Sequence, residues 1–121
     1  MDRLETVVVG VDGSADSLRV LDIARCIAEP AGARVVAVHA VGLMESASGN
    51  RDAPEGWGET VFEHGSPELA IERVAAREDA DLIVVGARGL AGVKAIGSTS
   101  HHLLETSIVP VLVVPPGDRP S

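Results

Sequence analysis

Aromatic side chains are nearly missing from this chain of 121 residues, which holds Trp57, Phe62 and no tyrosine. Binders of single-stranded nucleic acid stack successive bases on several such rings, so that class of function is excluded. Basic residues are outnumbered too, 10 against 18 acids, and the resulting charge of −8 opposes DNA, RNA and anionic membranes. No apolar run approaches the ~18 residues that a membrane span requires. The charged stretch from Met1 to Thr6 does not resemble a secretory leader, so the expected location is the cytoplasm. Cys26 is the single cysteine, which rules out an internal disulfide. Its position among apolar residues of a helical stretch predicts a buried, inert thiol.

What the chain does have is a set of short β-branched runs separated by helical patterns. Residues 6–11 read TVVVGV, a continuous apolar run of the kind that a parallel strand buried on both faces requires. Asp12, Gly13 and Ser14 end it. Leu18, Leu21, Ile23, Ala24 and Ile27 then recur at helical spacing, until Pro30 and Gly32 stop the helix. A second strand is expected at 34–41, followed from Leu43 to Gly58 by a loop or a reduced crossover rich in Ser, Gly, Asn, Asp and Pro. A short, more polar third strand at 60–63 reads as a sheet edge. Ser66 as N-cap, Pro67 at the first helical position and Glu68 in the first turn then start a helix, with Leu69, Ala70, Ile71, Val74 and Ala75 as its buried stripe. Strands at 81–85 and 110–114 flank a last helix from about Ser98 to Ser107. Strands alternating with helices predict a single α/β domain over 1–121, an open doubly wound five-stranded parallel sheet with helices on both faces.

Ligands of such sheets bind beyond the carboxyl ends of the strands, where the strand order reverses. Two loops carry suitable chemistry. After the fourth strand come Gly86, Gly89, Gly92 and Gly97, whose lack of Cβ lets backbone amides approach a ligand. Ser98, Thr99 and Ser100 open the last helix, whose first N–H groups lack internal partners and favour an anion. No acidic residue occurs from Leu82 to Leu104, while Arg88 and Lys94 make that stretch locally positive. At the other loop, Asp12 follows Val11 directly and can accept hydrogen bonds from ribose hydroxyls, or alternatively cap the first helix, as Ser14 also can. The backbone around Ala40 ends the second strand next to the first, beside the space for an adenine edge, and His39 reads as a core imidazole. His101 and His102 diverge by roughly 100° on a helix and cannot share a metal ion. No assembled set of catalytic residues is evident, so no catalytic or metal site is expected.

VVVGVDGSADS at 7–17, GSPELAI at 65–71, DLIVVGARGLAG at 81–92 and GSTSHHLLETSIVPVLVV at 97–114 together resemble the universal stress protein (UspA-type) family over nearly the whole chain. The resemblance implies strand order 3-2-1-4-5 and an ATP or AMP molecule, with Mg²⁺ where a triphosphate is bound. It implies Asp12 at the ribose, Ala40 at the adenine, and Gly86, Gly89, Gly97 and Ser98 around ribose and phosphates, with Ser100 as a further phosphate contact. Val11, Arg88 and Thr99 complete the expected site. It also implies a homodimer through the last strand, Val111, Leu112, Val113 and Val114, and at most slow ATP hydrolysis. Two departures stand out. Seven residues separate Gly89 from Gly97, fewer than in the family's ATP-binding pattern, and the crossover helix between the second and third strands is missing or reduced. The alternative function is therefore a dimeric interaction module whose shortened glycine loop does not bind nucleotide. An adenylating enzyme and a phosphorylation receiver fit poorly, the first for want of room for a second substrate and the second for want of clustered acids.

Overall fold

The computed structural model describes residues 3–42, 53–87 and 98–116. Strand β1 (Thr6–Val11) leads into helix α1 (Asp16–Ala28) and a 3₁₀ turn (Glu29–Ala31). Then follow β2 (Arg34–Val41), β3 (Thr60–His64), α2 (Pro67–Arg77), β4 (Leu82–Gly86), α3 (Ser98–Thr106) and β5 (Val111–Val114). The strands are all parallel, as their alternation with helices predicts, and lie in the order β3-β2-β1-β4-β5 that the family resemblance implies. Right-handed crossovers fix what covers each face. From β1 the chain steps outward through β2 to β3, then returns to the far side of β1 for β4 and β5. Helix α1 therefore lies on one face, and α2 and α3 on the other.

The two apolar layers follow from this. Val7, Val9, Val11, Ala37 and Val84 pack under Val20, Leu21, Ala24 and Ala28 of α1. Val8, Val36, Val38, Ile83 and Val85 pack under Ala70, Ile71, Val74 and Ala75 of α2, with Leu103 of α3. Alternation along β1 sends Val7 and Val9 one way and Val8 the other, so the unbroken valine run is needed on both sides. Gly10 lets α2 close on the sheet. A Cβ there would lie 2.5 Å from Cδ1 of Ile71 and 3.1 Å from Cγ1 of Val85.

On the α1 face, no second helix covers β2 and β3 among the described residues. Trp57 lies there instead, 4% exposed and part of the α1 core. His39 meets its ring edge-on with centroids 5.6 Å apart, and Phe62 stands 5.8 Å from His39. The turn that presents Trp57 uses left-handed backbone at Gly56 and Gly58, and Arg25 of α1 donates to the Gly56 carbonyl at 2.7 Å. One indole thus belongs to the described apolar cover on this face, while residues 43–52, where the crossover helix is expected to be missing or reduced, lie outside the described residues.

Three local expectations need correction. Cys26 is exposed, not buried, and Leu18, Ile27 and Leu69 are 43%, 37% and 48% exposed. The buried stripe of α1 is Ser17, Val20, Leu21, Ala24 and Ala28, in which small residues let the helix sit close to the sheet. Cys26 and Ile27 fall outside that stripe. Ser66 does precede α2 in extended conformation with Pro67 at the first position, but its side chain makes no capping bond and its buried Oγ has no partner among the described residues. Neither Asp12 nor Ser14 caps α1, because the N-cap position falls on Ala15.

Candidate functional site

Strands β1 and β4 are neighbours whose onward crossovers run in opposite directions, which makes the gap beyond Val11 and Gly86 the switch point of the sheet. Asp12 stands on its rim, exposed, directly after β1. Its Oδ1 accepts the Ser14 N–H at 2.9 Å and the Ser17 hydroxyl at 3.1 Å, while its own N–H donates to Ser17 Oγ at 3.2 Å. Gly13, at φ 83°, makes the sharp turn that this requires. Desolvation pushes the Asp12 carboxyl up, but the hydrogen bonds from Ser14 and Ser17 outweigh it and hold the group below the ordinary carboxylate range. Asp12 is therefore ionised at neutral pH, with both described bonds converging on a single oxygen.

Beside this turn, Val11 pairs in register with His39, and Ala40 is the next residue of β2. Val11 is buried in the α1 core, whereas Ala40 is half-buried and packs toward the α2 layer. His39 is half-buried, with its Cε1 4.0 Å from where a Cβ on Gly13 would stand. Across the gap, half-buried Gly86 ends β4, and its carbonyl accepts the hydroxyl of Ser100 at 2.7 Å. Ser100 is 1% exposed, so this bond ties the first turn of α3 to the end of β4. Ser98 is exposed and Thr99 partly so. Arg88, Gly89, Gly92, Lys94 and Gly97 lie outside the described residues. The structure thus brings Val11, Asp12, Ala40, Gly86 and the start of α3 to the same end of the sheet.

The expected separation of the two histidines is seen. His101 pairs with Glu105 at 3.0 Å along α3, while His102 reaches Glu72 of α2 at 3.4 Å. No group of three metal-ligating side chains occurs among the described residues. The residue that sequence reasoning passed over is Ser17. A serine on the otherwise apolar buried face of α1, 4% exposed, was the signal available.

Strand β5 forms one border of the sheet. Val111, Leu112 and Val113 are half-buried and Val114 is buried. The Pro110 and Val114 carbonyls accept from Ile83 and Ala87. By the two-residue period of a strand, the N–H and C=O groups of Val111 and Val113 therefore point away from β4.

This is an open α/β architecture, a parallel sheet with a hydrogen-bonded carboxylate and a helix start at its switch point. The universal stress protein family model matches residues 51–115, and the chain belongs to that family. A universal stress protein of Thermus aquaticus is 29% identical over 91% of this chain and 98% of its own length. The universal stress protein YxiE of Bacillus subtilis is 41% identical over 58 residues, which span 46% of this chain and 39% of YxiE. Among solved structures, a universal stress protein in complex with cAMP superposes with a TM-score of 0.73 at 30% identity, covering 93% of this chain and 98% of that one.

Proposed function

We propose that this chain binds an adenine nucleotide, ATP or AMP, at the switch point, as a regulatory or structural ligand and not as the substrate of a fast reaction. The observation that carries this reading is the Asp12 turn, which presents an ionised carboxylate beside the carboxyl ends of β1 and β2. Ribose hydroxyls are the donors that such an acceptor suits, and the backbone near Ala40 offers amide and carbonyl groups to the base. Ser98 and Thr99, in a stretch free of acids, supply hydroxyls and helix-terminal amides for phosphates. The 30% identical relative that holds cAMP supports the same ligand class. Any Mg²⁺ would arrive on the phosphates, since the described residues contain no cluster of three metal-ligating side chains. The test is thermal and chemical unfolding with and without ATP, AMP and Mg²⁺. A ligand at about 100 times its Kd adds about 2.7 kcal/mol to stability. An unchanged transition at millimolar nucleotide would instead favour the non-binding interaction module.

The same reading makes the protein a homodimer through β5. An apolar border strand with two outward-facing N–H and C=O pairs calls for a strand partner, and a second copy supplies one in an isologous pair. Replacing Val113 with proline removes one outward N–H without taking a bond from the β4–β5 ladder. Sedimentation is expected to find a dimer for the natural chain at micromolar concentration and a folded monomer for Val113→Pro. A monomeric natural chain would contradict the pairing.

A further inference from the structure

Ser17 is an unusual occupant of the α1 core, a polar side chain 4% exposed on a face otherwise made of Val20, Leu21, Ala24 and Ala28. Its hydroxyl is engaged twice, and both times by the same residue. It accepts the Asp12 N–H at 3.2 Å and donates to Asp12 Oδ1 at 3.1 Å. A single hydroxyl bonded to the main chain and the side chain of one aspartate closes a small ring that fixes the rotation about that aspartate's Cα–Cβ bond. The Asx turn alone does not need this, because the Ser14 N–H at 2.9 Å already satisfies it. What the Ser17 bond adds is direction. Oδ1 takes both bonds, so among the described residues Oδ2 is the oxygen left to accept from a ligand at the open rim.

We infer that Ser17 is a positioning residue that aims the Asp12 carboxylate, and that through it the site selects ligands carrying a ribose with free hydroxyls over those without. This deepens the nucleotide reading above and rests on it. A carboxylate free to rotate spends part of its time turned from the ligand and bonds the ribose less well, whereas adenine and phosphate contacts do not depend on it. The loss therefore falls on the sugar alone.

The experiment measures calorimetric affinities of the full chain for AMP and for 2′,3′-dideoxy-AMP. The natural chain is expected to prefer AMP by ~10-fold or more, the scale of hydrogen bonds to a charged group. In Ser17→Ala the preference collapses toward unity while the affinity for the dideoxy nucleotide holds. Ser17→Cys, similar in size but a weak donor, gives the same collapse and serves if the alanine variant does not fold. The acid limb of AMP binding also moves to higher pH in either variant, since a bond favouring the ionised form of Asp12 is gone. Equal weakening of both nucleotides, or an unchanged preference, would make Ser17 merely structural and overturn the inference. A natural chain that binds both nucleotides equally would overturn it too, leaving the nucleotide reading in place. A chain that binds neither ends both together.

Discussion

Replacing Trp57 with alanine is expected to destabilise the protein by about 3–5 kcal/mol, the cost of emptying the space of a buried large aromatic side chain. The effect is large because the indole is 4% exposed and part of the α1 core. It is buried in the apolar layer that α1 shares with the sheet, with His39 edge-on to its ring and Phe62 beside His39. Domains of this size are stable by only about 5–15 kcal/mol, so the change removes a substantial part of the total. Denaturant unfolding measures the loss, and amide exchange locates it, with the fastest gain expected at β3, which among the described strands pairs with β2 alone. Trp57→Phe keeps part of the apolar area and loses less. A midpoint shift worth under 1 kcal/mol for Trp57→Ala would mean that the indole is not part of the cooperative core.

The sheet was legible in the sequence because its residues leave little choice. Five short β-branched runs bounded by Gly, Pro and Asp read as strands, and helices between them force parallel pairing. Strand order needed the family resemblance, since periodicity does not say which edges meet. The helices were legible in position but not in phase. Large apolar residues drew the predicted stripe of α1 toward Leu18 and Ile27, whereas the sheet receives Ser17, Val20, Leu21, Ala24 and Ala28, with Ile23 partly buried against that core. Close approach to a flat valine layer favours small side chains, and hydrophobicity alone does not register that preference. Trp57 was hidden for a related reason, standing alone in a stretch whose Gly and Pro residues read as solvent-exposed loop.

At the site, Asp12 was recognisable from its place after a buried strand, but its alternatives, ribose acceptor or helix cap, could not be separated without coordinates. The bond pattern separates them in one respect. The carboxylate closes a turn on Ser14 and a ring on Ser17 while Ala15 takes the cap position. Ser100 was grouped with the phosphate contacts, and its hydroxyl is engaged by the Gly86 carbonyl, a tie between strand and helix that sequence spacing does not display. Its low exposure and that bond give it a part in holding the start of α3 against β4.

Gly10 provides the second large expectation. Valine at this position continues the β-branched run and suits a strand by propensity, yet it is expected to destabilise the protein by about 3 kcal/mol, because its Cβ alone would fall 2.5 Å from Cδ1 of Ile71. That δ-methyl belongs to a buried side chain, 3% exposed on the inner face of α2, so Ile71 has little room to swing aside and must repack together with Val85, whose Cγ1 lies 3.1 Å from the same Cβ. The explanation makes a sharper demand than the single substitution does. Ile71→Ala opens a cavity and on its own costs about 2–5 kcal/mol, but it also removes the atoms that valine at position 10 would strike. The double variant Gly10→Val, Ile71→Ala should then be more stable than the sum of the two losses allows, by about 1–3 kcal/mol of coupling. Strict additivity in a denaturant-melt cycle would mean that the glycine serves something other than the approach of α2, and backbone strain offers no refuge, since Gly10 is not among the glycines with positive φ.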